Sequence, residues 1–153
     1  MKSRLLFAGA MVASVLVAGC GSSSPSTSAS PSPAAATIAV ATNSKLGQIL
    51  VDGKGITVYL FVKDTGPSST CYTSCAQVWP PVLTSGPPQA GTGAAASLLG
   101  TTTRTDGKVE VTYAGHPLYY FVSDKQPGDA TGQGVDNFGG LWWVLTPSGA
   151  ARH

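Results

Sequence analysis

The sequence predicts an all-β fold: two tandem, pseudo-symmetric β-hairpin and meander repeats packed as one small domain, with a short helix near Cys71–Val78. Three observations carry this. Helix-period segments are nearly absent, while short β-branched and aromatic runs recur between Gly, Pro and Asp-Gly breaks. Asp52-Gly53, Asp106-Gly107 and Ala114-Gly115 mark tight reversals, where Gly accepts positive φ without steric cost. Finally, Ile56-Thr57-Val58-Tyr59-Leu60-Phe61-Val62-Lys63-Asp64 matches His116-Pro117-Leu118-Tyr119-Tyr120-Phe121-Val122-Ser123-Asp124 at an offset of 60, and Val82-Leu83-Thr84 matches Val144-Leu145-Thr146 at an offset of 62 behind Trp79 and Trp142-Trp143. Two copies are too few for an open solenoid, so they are expected to pack on each other.

In chain order, Lys2 and Arg4 form a positive start, Leu5 to Val17 an apolar stretch too short to span a bilayer, and Val17-Ala18-Gly19-Cys20 a small-residue end. The arrangement resembles a bacterial lipoprotein signal. It implies cleavage after residue 19 and a diacylglyceryl thioether on Cys20, so that the protein is anchored to a membrane rather than spanning it. The other reading is an ordinary secretory signal that contains a cysteine. Residues 21–36 hold no large apolar side chain and read as a disordered Ser/Pro/Ala tether with a reach of about 20 to 25 Å.

Residues 37–147 carry enough Val, Leu, Ile and aromatic side chains for one globular domain, with repeat one at 37–86 and repeat two at 99–147. The expected strands are Thr37–Thr42, Gly47–Asp52, Ile56–Lys63, Pro81–Thr84, Thr101–Arg104, Lys108–Tyr113, Pro117–Ser123 and Leu141–Thr146, with neighbours paired antiparallel across short loops. Ser85–Ala96, rich in Gly, Pro and Ala, reads as a connector, and 148–153 as a frayed tail.

Each repeat contains Tyr-x-Phe-x-x-Asp: Tyr59, Phe61 and Asp64, then Tyr119, Phe121 and Asp124. With Cys75-Ala76-Gln77-Val78-Trp79-Pro80-Pro81, Ala114-Gly115-His116-Pro117-Leu118-Tyr119 and Pro127-Gly128-Asp129, these copies make the chain resemble the bacterial secreted-repeat lipoproteins, over residues 37–147. The resemblance implies a cell-envelope location, lipid-anchored on the outer face of the cytoplasmic membrane or in the periplasm or outer membrane of a diderm. It brings no biochemical activity. On a strand, Tyr59 and Phe61 share one face and Leu60 and Val62 the other, so both faces are apolar, as in a strand covered on both sides. The aspartates precede Gly/Pro turns, where a carboxylate accepts backbone N–H bonds. The functional alternative is a carboxylate pair meeting across the pseudo-twofold axis.

A four-residue spacing on a helical turn brings Cys71 and Cys75 within disulfide reach, and export places them in an oxidising compartment. A small-ring bridge contributes only about 2 kcal/mol and staples the short helix locally. The alternative is a copper or redox site on Cys71 and Cys75, with His116 as third ligand. A Cys-x-x-x-Cys pair occurs in copper chaperones of cytochrome oxidase assembly, but those carry a proline after the second cysteine, where this chain has Ala76. Gly128–Asp136 is rich in oxygen donors, yet it fits no calcium-loop spacing. His116 reads as a solvated turn residue.

Without residues 1–19, seven Lys and Arg face seven Asp and Glu, which gives no electrostatic footprint for nucleic acid. Two histidines, one glutamate and no Gly-x-Ser-x-Gly, His-Glu-x-x-His or phosphate loop make a noncatalytic protein without cofactor the expectation. The partners expected are the membrane, through the lipid, and an envelope protein or glycan. For the latter, Trp142, Trp143, Tyr113 and Tyr72 are the candidate exposed aromatic surface.

Overall fold

The structure, a computed structural model, describes residues 34–153, so the expected signal, Cys20 and most of the linker lie outside the described residues. The elements are β1 (Thr37–Asn43), β2 (Gly47–Asp52), β3 (Tyr59–Phe61), α1 (Ser74–Val78), β4 (Gln89–Ala90), a 3-10 turn (Ala96–Leu98), β5 (Leu99–Thr103), β6 (Val109–Tyr113), β7 (His116–Pro117), β8 (Asp136–Asn137) and β9 (Gly140–Val144). Among the described residues they form three-stranded sheets in the orders β2-β1-β4, β3-β9-β8 and β5-β6-β7. The all-β expectation holds.

Local chemistry sets the hairpins. The Asn43 side-chain carbonyl accepts the N–H groups of Lys45 and Leu46, bending β1 into β2, with Asn43 opposite Gly47. Thr103 lies opposite Val109 in the equivalent β5–β6 hairpin, where Asp106 accepts the Lys108 N–H. Ala114 and Gly115, with φ of 50° and 82°, form the two-residue left-handed turn from β6 into β7, and Phe138-Gly139 does the same from β8 into β9. At Asp52-Gly53 the positive φ falls on Gly55 instead. There the Asp52 carboxylate accepts the N–H groups of Lys54 and Ile56.

The two copies are interleaved. β3, from the first motif, pairs with β9 of the second copy, Tyr59 opposite Val144 and Phe61 opposite Trp142. Reciprocally, residues 118–122 of the second motif pair with residues 78–82 of the first copy, through Val82 N–H to Leu118 C=O, Tyr120 N–H to Pro80 C=O and Val122 N–H to Val78 C=O. Where the motifs meet, Tyr59 and Tyr119 exchange backbone bonds of 2.8 and 2.9 Å. Three expected strands are therefore broken. Ile56–Lys63 is regular only at β3, Pro117–Ser123 only at β7 with an isolated bridge at Tyr119, and Pro81–Thr84 consists of bridges at Pro81 and Leu83. The physical reason is partner switching: Val58 bonds Leu50, Tyr59 bonds Tyr119 and Val62 bonds Leu141, so no long ladder forms.

Two further differences lie outside the repeats. The connector contributes β4, which adds parallel to the edge of β1. The tail expected to fray turns back, Ala151 bridging Leu145 and Arg152 N–H donating to Val144 C=O at 2.9 Å, and His153 meets Trp143 edge-on.

One motif face is covered and the other only in part: Tyr59, Phe61, Leu60, Tyr119 and Leu118 are buried, whereas Val62 and Val122, expected to be covered, are exposed where each motif leaves its strand for the turn that follows. Tyr59, Phe61, Tyr119, Trp79 and Trp142 form one core cluster with Cys71, Cys75 and Val144; Val58, Leu60, Leu118, Val111, Tyr113 and Leu145 form the other. The first is organised by a column of rings. Phe61 stacks on Trp142 at 4.0 Å, Trp142 on Trp79 at 4.0 Å and Trp79 on Phe121 at 4.3 Å, while Tyr59 meets Trp79 and Tyr119 meets Trp142 edge-on at 5.3 and 5.1 Å. These five contacts map onto one another under the exchange of copies, so the pseudo-twofold axis runs between the two indoles; the looser edge-on contact of Tyr59 with Phe121 at 6.5 Å has no counterpart. Because this column spans both copies, Trp79→Ala is expected to lower stability by about 3–5 kcal/mol while unfolding stays a single transition. Urea titration followed by two probes, one in each copy, checks both.

Candidate functional site

The clustered polar chemistry lies where the motifs cross. Tyr59 donates its hydroxyl to Asp124 Oδ2 at 2.5 Å, and Tyr119 donates to Asp64 Oδ2 at 2.5 Å, so each motif tyrosine is held by the aspartate of the other copy. The other carboxylate oxygens are also equivalent. Thr70 donates its N–H and hydroxyl to Asp64 Oδ1 at 2.8 and 2.7 Å, and Thr131 donates the same pair to Asp124 Oδ1 at 2.9 and 2.6 Å. The aspartates thus accept turn N–H bonds, as expected of them, and in addition lock the two repeats together. Neither finds the other copy's aspartate among its hydrogen-bond partners.

The phenol oxygens accept different groups in the two copies. Gly132 N–H donates to Tyr59 at 3.2 Å; a Cβ on Gly132 would lie 2.7 Å from the Trp79 ring, so no larger residue fits there. On Tyr119 the neighbour is the Ser69 hydroxyl at 2.7 Å, which also accepts Arg104 Nη1 at 2.8 Å. Since the tyrosine proton is committed to Asp64, Ser69 donates, and the bonds run in one direction from Arg104 through Ser69 and Tyr119 to Asp64. Burial, aided by the aspartate at Tyr59 and by Glu110 and Asp64 at Tyr119, pushes both phenols above the usual tyrosine range.

Arg104 anchors this cluster. Its guanidinium bonds Glu110 Oε2 and the Cys71 carbonyl, each at 2.7 Å, and lies 4.4 Å over the Tyr72 ring. Arg104 and Glu110 are both buried, and burial pushes the Glu110 carboxyl up to about 7, Arg104 pulling against the rise and Asp64 adding to it. At an offset of 61 the first copy carries Asn43 and Ile49 in their places, with Asn43 Nδ2 donating to Gly128 C=O at 3.0 Å.

Cys71 and Cys75 are joined in a disulfide, Cα atoms 5.2 Å apart, which ties the segment before α1 to Cys75 in its first turn. The thiolate metal alternative gives way on that ground, since neither sulfur is a free ligand. Among the described residues no group of three or more His, Cys, Asp and Glu is placed to hold a metal ion. His116, expected in solvent, is half-buried in β7 with Nδ1 enclosed. In the Gly128–Asp136 stretch, Asp129 accepts the N–H groups of Lys125 and Gln126, which hold its carboxyl below the usual range. The exposed aromatic surface does not form. Trp142 and Tyr113 are fully buried, Trp143 packs on His153 and Tyr72 lies under Arg104.

Residues 40–83 and 100–146 match a family described as a secreted repeat of unknown function. The chain belongs to this family. Each match holds one hairpin, one Tyr-x-Phe-x-x-Asp motif and the strand that pairs with the other copy's motif, so the family's unit is half of an interleaved fold. No curated protein and no solved structure matches the chain.

Several residues that build the site carried no expectation. Thr70 and Thr131 were legible in principle, since they fall at an offset of 61 and follow the aspartates by six and seven residues. Ser69, Asn137, Arg104 and Glu110 had no such signal. Asn137 accepts Trp79 Nε1 on its side chain and Trp142 Nε1 on its carbonyl, at 2.9 and 3.3 Å, which ties both indoles to one residue.

The contrast between copies makes the ion pair testable. Glu110→Ile alone strands a buried guanidinium and is expected to cost about 3–5 kcal/mol; adding Arg104→Asn, which recreates the first copy's pair, is expected to recover most of the loss. The linkage has a definite sign. With a folded pKa of about 7 against 4.5, the folded protein holds this proton more tightly, so the contribution is full below pH 4.5 and is lost as pH rises through about 7. Denaturant unfolding from pH 4 to 8 should show that decline in the wild type and not in the double variant.

Proposed function

We propose that the protein is a lipid-anchored module of the cell envelope whose β domain binds or supports an envelope partner without catalysing a reaction. The family's description as secreted supports an exported location, and the run ending at Cys20 supports the anchor. The observation that carries the noncatalytic reading is the use made of the polar residues. Asp64 and Asp124 each accept three bonds from the fold, both motif phenols are held by those carboxylates, and the two sulfurs are bonded to each other. A general base or nucleophile has to reach a substrate, and these groups are turned inward. Among the described residues no helix is long and apolar enough to cross a membrane, so attachment rests on Cys20 in this reading.

Expressed in a bacterium with lipoprotein-processing enzymes, the full chain is expected to enter the detergent phase on Triton X-114 partition and to gain lipid mass on Cys20. Cys20→Ser should move it to the aqueous phase or leave it unprocessed. Wild-type protein in the aqueous phase, cleaved and unmodified, would contradict the anchor.

A further inference from the structure

The pseudo-twofold equates β1 with β5 at an offset of 61, and the two edges are finished differently. On β1 the outward-facing backbone is met by the connector. Gln89 N–H donates to Ala36 C=O at 2.8 Å, Gly91 N–H to Ile38 C=O at 2.7 Å, and Val40 N–H to Thr92 C=O at 2.8 Å. On β5, the bonds from Arg104 N–H to Lys108 C=O and from Ala114 N–H to Leu98 C=O make the even positions those that face β6. Antiparallel alternation then turns Leu99, Thr101 and Thr103 outward. Leu99 C=O and Thr101 N–H thus stand where Ile38 C=O and Val40 N–H stand on β1, and no described residue hydrogen-bonds them.

An open edge is a template for another strand. Beside this one lies a groove of about 460 Å³ whose lining includes Pro87, Pro88, Leu99, Thr101 and Val109, and Val109 and Leu83 expose much of their apolar surface nearby. No charged side chain lines the groove, so a charge carried into it would be desolvated without a counter-ion. The β4 strand also shows how much side chain such an edge admits. A Cβ on Gly91 would lie 2.9 Å from the Ala39 Cβ, 3.2 Å from Thr37 and 3.3 Å from the Ile38 carbonyl; on β5 the first of these is relieved, because Gly100 takes the place of Ala39, while the others keep the space to small side chains.

We propose that the β5 edge and its groove bind an extended, uncharged partner segment of small residues, added parallel to β5 as β4 is added to β1. Backbone bonds to Leu99 and Thr101 hold the segment, and alternate side chains enter the groove. The proposal names the site behind the binding role proposed above and rests on that reading.

The test is amide hydrogen exchange on the full chain, with an acetylated and amidated peptide of the connector sequence, Gly-Pro-Pro-Gln-Ala-Gly-Thr-Gly, as probe. At a peptide concentration ten times its Kd, exchange at Thr101 should slow about tenfold while Thr102, already facing β6, is unchanged. Thr101→Pro removes the N–H from a solvent-facing edge position that tolerates proline, and should weaken peptide binding, read by isothermal titration calorimetry, about tenfold or more; Thr101→Val, which keeps the N–H, should bind as the wild type does. Unchanged exchange at Thr101 overturns the proposal, as does undiminished peptide binding by Thr101→Pro. Protection of Thr101 without peptide that rises with protein concentration would assign the edge to a second copy instead. Protection lost on replacing Ser30 and Ser32 with glutamate would assign it to the chain's own upstream residues. None of these outcomes depends on lipid anchoring, which the detergent partition tests separately.

Discussion

A phenol buried without a hydrogen-bond partner costs about 1–3 kcal/mol, and this chain buries two of them at its centre. Tyr59 and Tyr119 place their hydroxyl protons on Asp124 and Asp64, which stand 65 and 55 residues away on the other repeat. The backbone obeys the same rule, since each motif strand finds its pairing partner in the other copy. A single repeat would leave a tyrosine, an aspartate and a strand edge unsatisfied together, and would expose one side of the indole stack. The crossing makes two tandem sequences into one folding unit.

Once the crossing satisfies the shared centre, the periphery is free to differ between copies. The first copy fills the space beside its hairpin with Ile49 and Asn43, and closes the edge of β1 with β4. In the second, the buried Glu110–Arg104 pair reaches Ser69 and the Cys71 carbonyl, and β5 is left open. The disulfide belongs to this second arrangement as well, because it fixes the turn that presents the Cys71 carbonyl to Arg104. The residues shared by the copies build the core, and the two halves differ at their edges.

The hairpins β1–β2 and β5–β6, the strand β9 and the short helix were legible because alternation and turn residues are local signals. The repeat was legible because offsets of 60 to 62 are visible in a single chain. Alternation told correctly that Tyr59, Leu60, Phe61 and Tyr119 are covered but not that Val62 and Val122 are exposed, and it says which face a residue takes and not which strand lies beside it. The crossing of Tyr59 to Asp124 therefore stayed hidden. β4 was hidden for another reason: Gly, Pro and Gln have low strand preference, and that segment is extended because the edge of β1 templates it. Arg104 and Glu110 escaped notice because charged residues are rarely buried unless paired, and their pairing closes over a hairpin turn. The tryptophans and Tyr113 were weighed as a surface because composition does not reveal that the two indoles stack on each other.

The central claim is that each motif tyrosine is bound to the aspartate of the other repeat. Double-mutant cycles on stability test it directly, using Tyr59→Phe with Asp124→Asn, and separately Tyr59→Phe with Asp64→Asn. The crossed pair should show a coupling of about 0.5–3 kcal/mol and the within-motif pair a coupling near zero. Strong coupling within one motif, with none between the copies, would contradict the interleaved arrangement.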